Sequence, residues 1–174
     1  MPRTPINRRN AALMGAGLLG AAPLAATAKK APKPGLKDMD PGVTVAPEDA
    51  AEIWAVLDQF MSNFRMPLQD TIDKHLETYL FPHARIASQH VFLSPDAQTY
   101  KEAVLKLTAM PSGWDHSEWS ARRIVQAGKD KVHVAVAFNR YRKDNSLIAV
   151  EPSLYILEKV DGRWGIRARS SYAK

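Results

Sequence analysis

The 174-residue chain contains no cysteine. Disulfide frameworks, cysteine nucleophiles and thiolate zinc sites are therefore excluded. Its five histidines, His75, His83, His90, His116 and His133, form neither a His-x-Glu-x-x-His pattern nor a helical i, i+4 pair, so no metal motif is legible and no cofactor is expected. A Gly-x-Ser-x-Gly elbow and a phosphate-cradling glycine loop are also missing. Long apolar runs are scarce. The one candidate, Ala11 to Ala26, is interrupted by Gly15, Gly17, Gly20 and Pro23 and falls short of the roughly 20 strongly apolar residues that cross a bilayer comfortably.

Acidic residues are absent from the first 28 positions, which hold Arg3, Arg8 and Arg9. A basic start, an apolar stretch and the small residues Ala26-Thr27-Ala28 have the layout of a cleavable export signal. The arginine pair followed by an Ala/Gly-rich stretch is that of a twin-arginine signal, although the Phe-Leu usual after the pair is replaced by Ala-Ala-Leu. The general secretory route is the alternative. Either way the expected location is periplasmic or secreted, with no membrane anchor after cleavage. Without these residues the chain carries 21 basic and 18 acidic side chains, an ordinary soluble surface that gives no reason to expect nucleic-acid binding.

Residues 29–47 hold Lys29, Lys30, Lys33, Lys37, four prolines and almost no large apolar group, the composition of a flexible linker. From Pro47-Glu48-Asp49 the character changes. Ala50, Ile53, Trp54, Leu57, Phe60, Met61 and Phe64 recur at three- and four-residue steps, predicting an amphipathic helix that Pro67 ends. A second helix is expected over Asp70 to Leu80, stopped by Pro82, then a strand or hairpin over Arg85 to Leu93. Ser94-Pro95-Asp96 reads as the cap of a third helix over Ala97 to Ala109. Strands follow: Ser117 to Ala127, then Val132 to Tyr141, then Leu147 to Val160 with a bend at Pro152. The last comes after the Asp161-Gly162 hairpin signal, with Trp164, Ile166, Ala168 and Ser170 alternating against Gly165, Arg167, Arg169 and Ser171. Helices first and antiparallel sheet afterwards is an α+β arrangement.

This order, with Phe81-Pro82-His83-Ala84-Arg85-Ile86-Ala87-Ser88, Phe138-Asn139-Arg140-Tyr141-Arg142 and Gly162-Arg163-Trp164-Gly165-Ile166-Arg167, resembles the nuclear transport factor 2-like superfamily, in particular its SnoaL-like branch, over residues 48–174. The resemblance implies a cone: three N-terminal helices packed on a strongly curved antiparallel sheet that encloses a pocket for a small hydrophobic or aromatic molecule. It also implies a homodimer built on the sheet face, as in many relatives. No catalytic motif is common to the superfamily, whose isomerases, dehydratases, epoxide hydrolases and cyclases each use different pocket positions.

The residues themselves suggest two clusters. In Trp114-Asp115-His116-Ser117-Glu118-Trp119, His116 can serve as a general base oriented by a carboxylate. Asp115 or Glu118 would orient it; strand alternation puts Glu118 on the face of His116 and Asp115 on the other, which favours Glu118 where the extended reading holds. A histidine merely capping the strand is the bland alternative. His83 and Arg85 can hold an anionic or phenolic group, or be a loop histidine and a surface arginine. Arg140 and Arg142 continue the apolar face of Val132, Val134, Val136 and Phe138, so each must line a wet cavity or pair with a carboxylate such as Asp115 or Glu118. Tyr100 and Tyr155 are candidate donors to a substrate oxygen. Arg163, Arg167 and Arg169 read as a solvated or dimer-facing sheet surface. The leading expectation is an exported small-molecule binder, with or without cofactor-free acid/base chemistry as a lyase, isomerase, dehydratase or cyclase. A non-catalytic binding or dimerisation module is the alternative.

Overall fold

A computed structural model describes residues 44–106 and 113–172. The expected export signal and nearly all of the linker lie outside the described residues. Helix α1 spans Pro47–Ser62, with Glu48 and Asp49 in its first turn, and buries Ile53, Leu57, Phe60 and Met61. Proline at the start costs the helix nothing, since that N–H has no partner there anyway. Helix α2 runs Leu68–Leu76 and α3 runs Ala97–Leu105. The Asp96 side chain accepts from the Thr99 N–H at 2.7 Å and caps α3. The expected third-helix residues 107–109 fall outside the described ones.

Six strands follow the order β2-β1-β6-β5-β4-β3: β1 is Tyr79–Ala87, β2 His90–Ser94, β3 His116–Ala127, β4 Lys131–Tyr141, β5 Leu147–Val160 and β6 Arg163–Ser171. Every neighbouring pair is antiparallel except β1 with β6. The expected α+β class thus holds, with one parallel pair.

Two boundaries differ from the sequence reading. Tyr79 and Leu80 open β1 instead of closing α2, and the strand runs through Pro82. The β1–β6 ladder shifts register between Tyr79 and Ala84, so Pro82 sits in an irregular stretch where its missing N–H breaks no regular pair. Pro152 bends nothing in the β4–β5 ladder, which pairs it with Ala137 in register. It lies just past the last β5–β6 pair, Ser153 with Ser171, and on that flank its carbonyl accepts from the Tyr172 N–H at 3.3 Å, a bond that needs no N–H from proline.

One face of the sheet is packed on the helices. Val132, Val134, Val136 and Phe138 alternate inward along β4, opposite Leu157 and Tyr155 of β5. With Ile53, Leu57, Phe60, Ile72, Trp164 and Ile166 they form a single apolar core. At one edge of it, the Asp49 carboxylate accepts from Trp164 Nε1 at 2.8 Å and from Lys159 Nζ at 2.7 Å, which ties the start of α1 to the β5–β6 hairpin. The same pairing lowers the Asp49 pKa and raises that of Lys159.

Candidate functional site

The two clusters expected from the sequence lie on opposite faces of the sheet. Ser117 is registered with Arg140, and His116 with Tyr141. Directly paired residues share a face and neighbours in a strand alternate, so Arg140 points with Phe138 into the interior while His116 points out. The anticipated constellation of His116 with Arg140 and Tyr155 therefore does not assemble.

Of the two carboxylates weighed as its partner, His116 takes Asp115. Its Nδ1 lies 2.9 Å from Asp115 Oδ2 and its ring stacks on Tyr141 at 5.3 Å. Asp115 precedes the first residue of β3, so strand alternation does not govern its side chain. Glu118 faces the same way as His116 but is not its partner. Asp115, His116 and Glu118 border an open cleft of about 740 Å³ at the β3 edge, with Met61 and Ser62 of α1, Arg65, which is bridged to His116, and Lys143 beyond β4.

The interior gathers the other candidates. On β1, His83 is 1% exposed and Arg85 is registered with Arg169 of β6, which is registered in turn with buried Tyr155 of β5. The guanidinium carbon of Arg169 lies 5.2, 5.5 and 5.6 Å from the ring centres of Phe60, Tyr79 and Tyr155, a three-walled aromatic cage in which a cation is attracted by every ring face. From it a directional chain of hydrogen bonds runs back to α1. Arg169 Nη2 donates to the Tyr100 hydroxyl at 3.0 Å, Tyr100 to the Tyr79 hydroxyl at 2.9 Å, and Tyr79 to His75 Nε2 at 3.1 Å. His75 Nδ1 closes the chain by donating to the Phe60 carbonyl at 3.0 Å. The direction follows from the two ends, because a guanidinium only donates and a carbonyl only accepts. Tyr100 is thereby occupied in holding Arg169, whereas the sequence reading aimed it at substrate.

Electrostatics separate the roles further. Burial, reinforced by the charge of Arg169, lowers the pKa of both His75 and His83 to about 3, so both rings are neutral near pH 7. Burial raises the phenols of Tyr79 and Tyr155. For Arg169, burial opposes the charge, but the surrounding tyrosines outweigh it and hold the pKa above the usual arginine value. Desolvation lowers Arg85 and Arg140, the charge of Arg169 adds to this at both, and Glu151 partly offsets it at Arg140. All three arginines remain cations.

The sequence reading missed Arg169 as an interior residue. Strict alternation puts it outside with Arg167. In the fold, Leu157 pairs with Ile166 but the adjacent Ile156 pairs with Ala168, so Arg167 is the extra residue of a β-bulge and the phase of β6 switches there. Arg167 stays outside, bonded to Glu158 at 2.9 Å and to the Pro82 carbonyl at 3.2 Å. Arg163 is a clasp as well, donating to the Glu77 and Tyr79 carbonyls at 2.8 and 3.1 Å. Arg142 leaves the apolar stripe altogether. It lies beyond the end of β4 and bonds Ser146 across the turn.

Four buried polar atoms on the interior side find no hydrogen-bond partner among the described residues: His83 Nε2, Arg140 Nε, Ser153 Oγ and Arg169 Nε. Among the described residues, the carboxylate near Arg140 is that of Glu151, at 3.9 Å, beyond hydrogen-bond length. No group of three or more potential metal-ligating side chains occurs among the described residues.

Among curated proteins none matches the chain. Of solved structures, a protein of unknown function with a cystatin-like fold from Nostoc punctiforme is similar at a TM-score of 0.60 and 14% identity, covering 76% of this chain and 96% of its own. An NTF2-like protein of unknown function from Pseudomonas putida gives 0.58 and 13%, covering 75% and 90%. A ketosteroid isomerase-like protein from Erwinia carotovora gives 0.52 and 15%, covering 73% and 97%. At these identities the likeness speaks to fold alone. The family model described as NTF2-like protein (DUF6841) matches residues 48–174. It does not single out the SnoaL-like branch, but it spans every helix and strand just described, and the chain belongs to this NTF2-like family.

Proposed function

We propose that the protein binds a small molecule on the inner face of its sheet, among His83, Arg85, Arg140, Ser153, Tyr155 and Arg169, and that binding is its function there. One observation carries this reading: four buried polar atoms stand unanswered on that face. Each such atom costs about 1–3 kcal/mol when left without a partner, and a ligand that meets them recovers it. The same groups argue against general-base catalysis inside. A proton acceptor works best with a pKa near the ambient pH, and His75 and His83 are depressed to about 3 while the phenols are raised.

A second reading, acid/base chemistry in the outer cleft, is favoured by the 2.9 Å contact of His116 with Asp115, which leaves His116 Nε2 free to exchange a proton with a molecule there. The two readings are separated by thermal shift with aromatic and terpenoid compounds on the full-length protein. A ligand of the inner face raises the melting temperature of wild type and of His116→Ala, but not of Ser153→Val, in which the bulkier side chain occupies the inner face. The opposite pattern moves the site to the cleft. No shift with any compound sinks the binding reading.

We further propose that the protein is exported through its Arg8-Arg9 segment and works as a homodimer. Ile86, Val91 and Leu93, exposed on β1 and β2, support an association surface. Replacing both arginines by lysine should retain the protein in the cytoplasm if the twin-arginine route is used. Sedimentation of wild type at the mass of a single chain would refute the dimer.

A further inference from the structure

We infer that the ligand of the inner face is a carboxylate, carried on an aromatic or apolar body and bound by Arg140 and Arg169. This deepens the binding reading and rests on it. The argument starts from a mismatch of charge. Among the described residues, Arg85, Arg140 and Arg169 bring three cations to the interior and Glu151 brings one carboxylate, while His75, His83, Tyr79 and Tyr155 carry no charge near neutral pH. Arg140 has a side chain only 8% exposed, and its Nη1 is 3.9 Å from Glu151, a distance at which the pair is attracted but not hydrogen-bonded. Positive charge held out of water in this way calls for a counter-charge.

The unanswered atoms specify the same chemistry. Arg140 Nε–H and Arg169 Nε–H can only donate, and the Ser153 hydroxyl can do so. The requirement is for acceptors, and a carboxylate offers two oxygens with about four lone-pair positions. His83 is the exception. Its Nδ1 donates to the Ile166 carbonyl at 3.3 Å, which leaves Nε2 as a lone acceptor and favours a ligand that carries a hydroxyl or N–H besides its carboxylate. Around these groups the surfaces are rings: Phe60, Tyr79 and Tyr155 about Arg169, and Phe138 beneath Arg140 at 5.8 Å. An aromatic body matches such walls better than a free inorganic anion does.

The test is isothermal titration of the full-length protein with 4-hydroxybenzoate, benzoate, benzamide and inorganic phosphate. Binding of the carboxylates at least tenfold tighter than benzamide and phosphate supports the inference, with 4-hydroxybenzoate the tighter of the two. Arg140→Gln should then weaken benzoate at least tenfold and leave benzamide unchanged. Glu151→Gln, which keeps the shape of the side chain and is checked for folding by its urea midpoint, should tighten benzoate by freeing Arg140 of this competing carboxylate. Benzamide equal to benzoate, phosphate tighter than both, or a Glu151→Gln variant no tighter than wild type overturns the carboxylate while leaving the inner-face site intact. No binding by any of the four, together with no thermal shift from the wider library, overturns the site itself.

Discussion

Lowering the pH from 7 to 5 should remove about 4 kcal/mol of folding stability, and two buried histidines account for it. His75 and His83 are each 1% exposed, and burial followed by the nearby Arg169 charge brings both to about 3 from an ordinary 6.5. A histidine whose pKa is depressed by folding binds more protons unfolded than folded at every pH between the two values, so stability falls as the solution is acidified through that window. For unfolded and folded values of about 6.5 and 3, the linkage integral from pH 7 to 5 is about 2 kcal/mol per histidine. The figure depends little on the folded value, since pH 5 lies well above it. The lowered carboxylates, Asp49, Asp96, Asp144 and Glu158, lose their contribution only further down, as pH falls through their folded values. Against a typical net stability of 5–15 kcal/mol, the loss is large enough to show plainly as a shift of the urea midpoint at constant slope. His83→Gln should remove about half of the pH dependence whatever it does to stability at pH 7, and so should His75→Gln. A midpoint that stays level between pH 7 and 5, or two variants that keep the full wild-type dependence, would refute the buried neutral state of these rings.

Two further outcomes test packing. A Cβ added at Gly165 would lie 2.8 Å from Leu80 Cγ, so Gly165→Ala should destabilise by about 1–3 kcal/mol in urea denaturation, and Leu80→Ala in the same chain should recover part of the loss. Asp49→Ala strands the buried Trp164 Nε1 and releases Lys159, and should lower the urea midpoint. Asp49→Asn, which keeps an acceptor, should cost clearly less by the same measurement.

How far the sequence could be read depends on whether a residue's surroundings are local. The face of α1 followed from three- and four-residue spacing, and the inward face of β4 from Val132, Val134, Val136 and Phe138, because each pattern repeats over several turns or pairs. Arg140 as the residue ending that stripe was legible for the same reason. The end of α2 was not, since Tyr79 and Leu80 fit a helical face as well as a strand and only pairing with β6 decides between them. Between Asp115 and Glu118 as partner of His116, alternation favours the one that does not bond it, because alternation applies within a strand and Asp115 stands outside it. Arg169 was misplaced by the Arg167 bulge, which leaves no composition signal: neither glycine nor proline marks it.

That bulge decides what kind of interior the protein has. Were β6 to run straight after Ile166, Ala168 and Ser170 would face the helices and both Arg167 and Arg169 would reach water. The same nine residues would then close a dry, neutral core over Phe60 and Tyr155. One additional residue in the ladder, a displacement of about 3.3 Å along the strand, replaces that plug with a caged cation. A change of strand register at position 167 would therefore convert a charged interior into a neutral one without altering a single side chain.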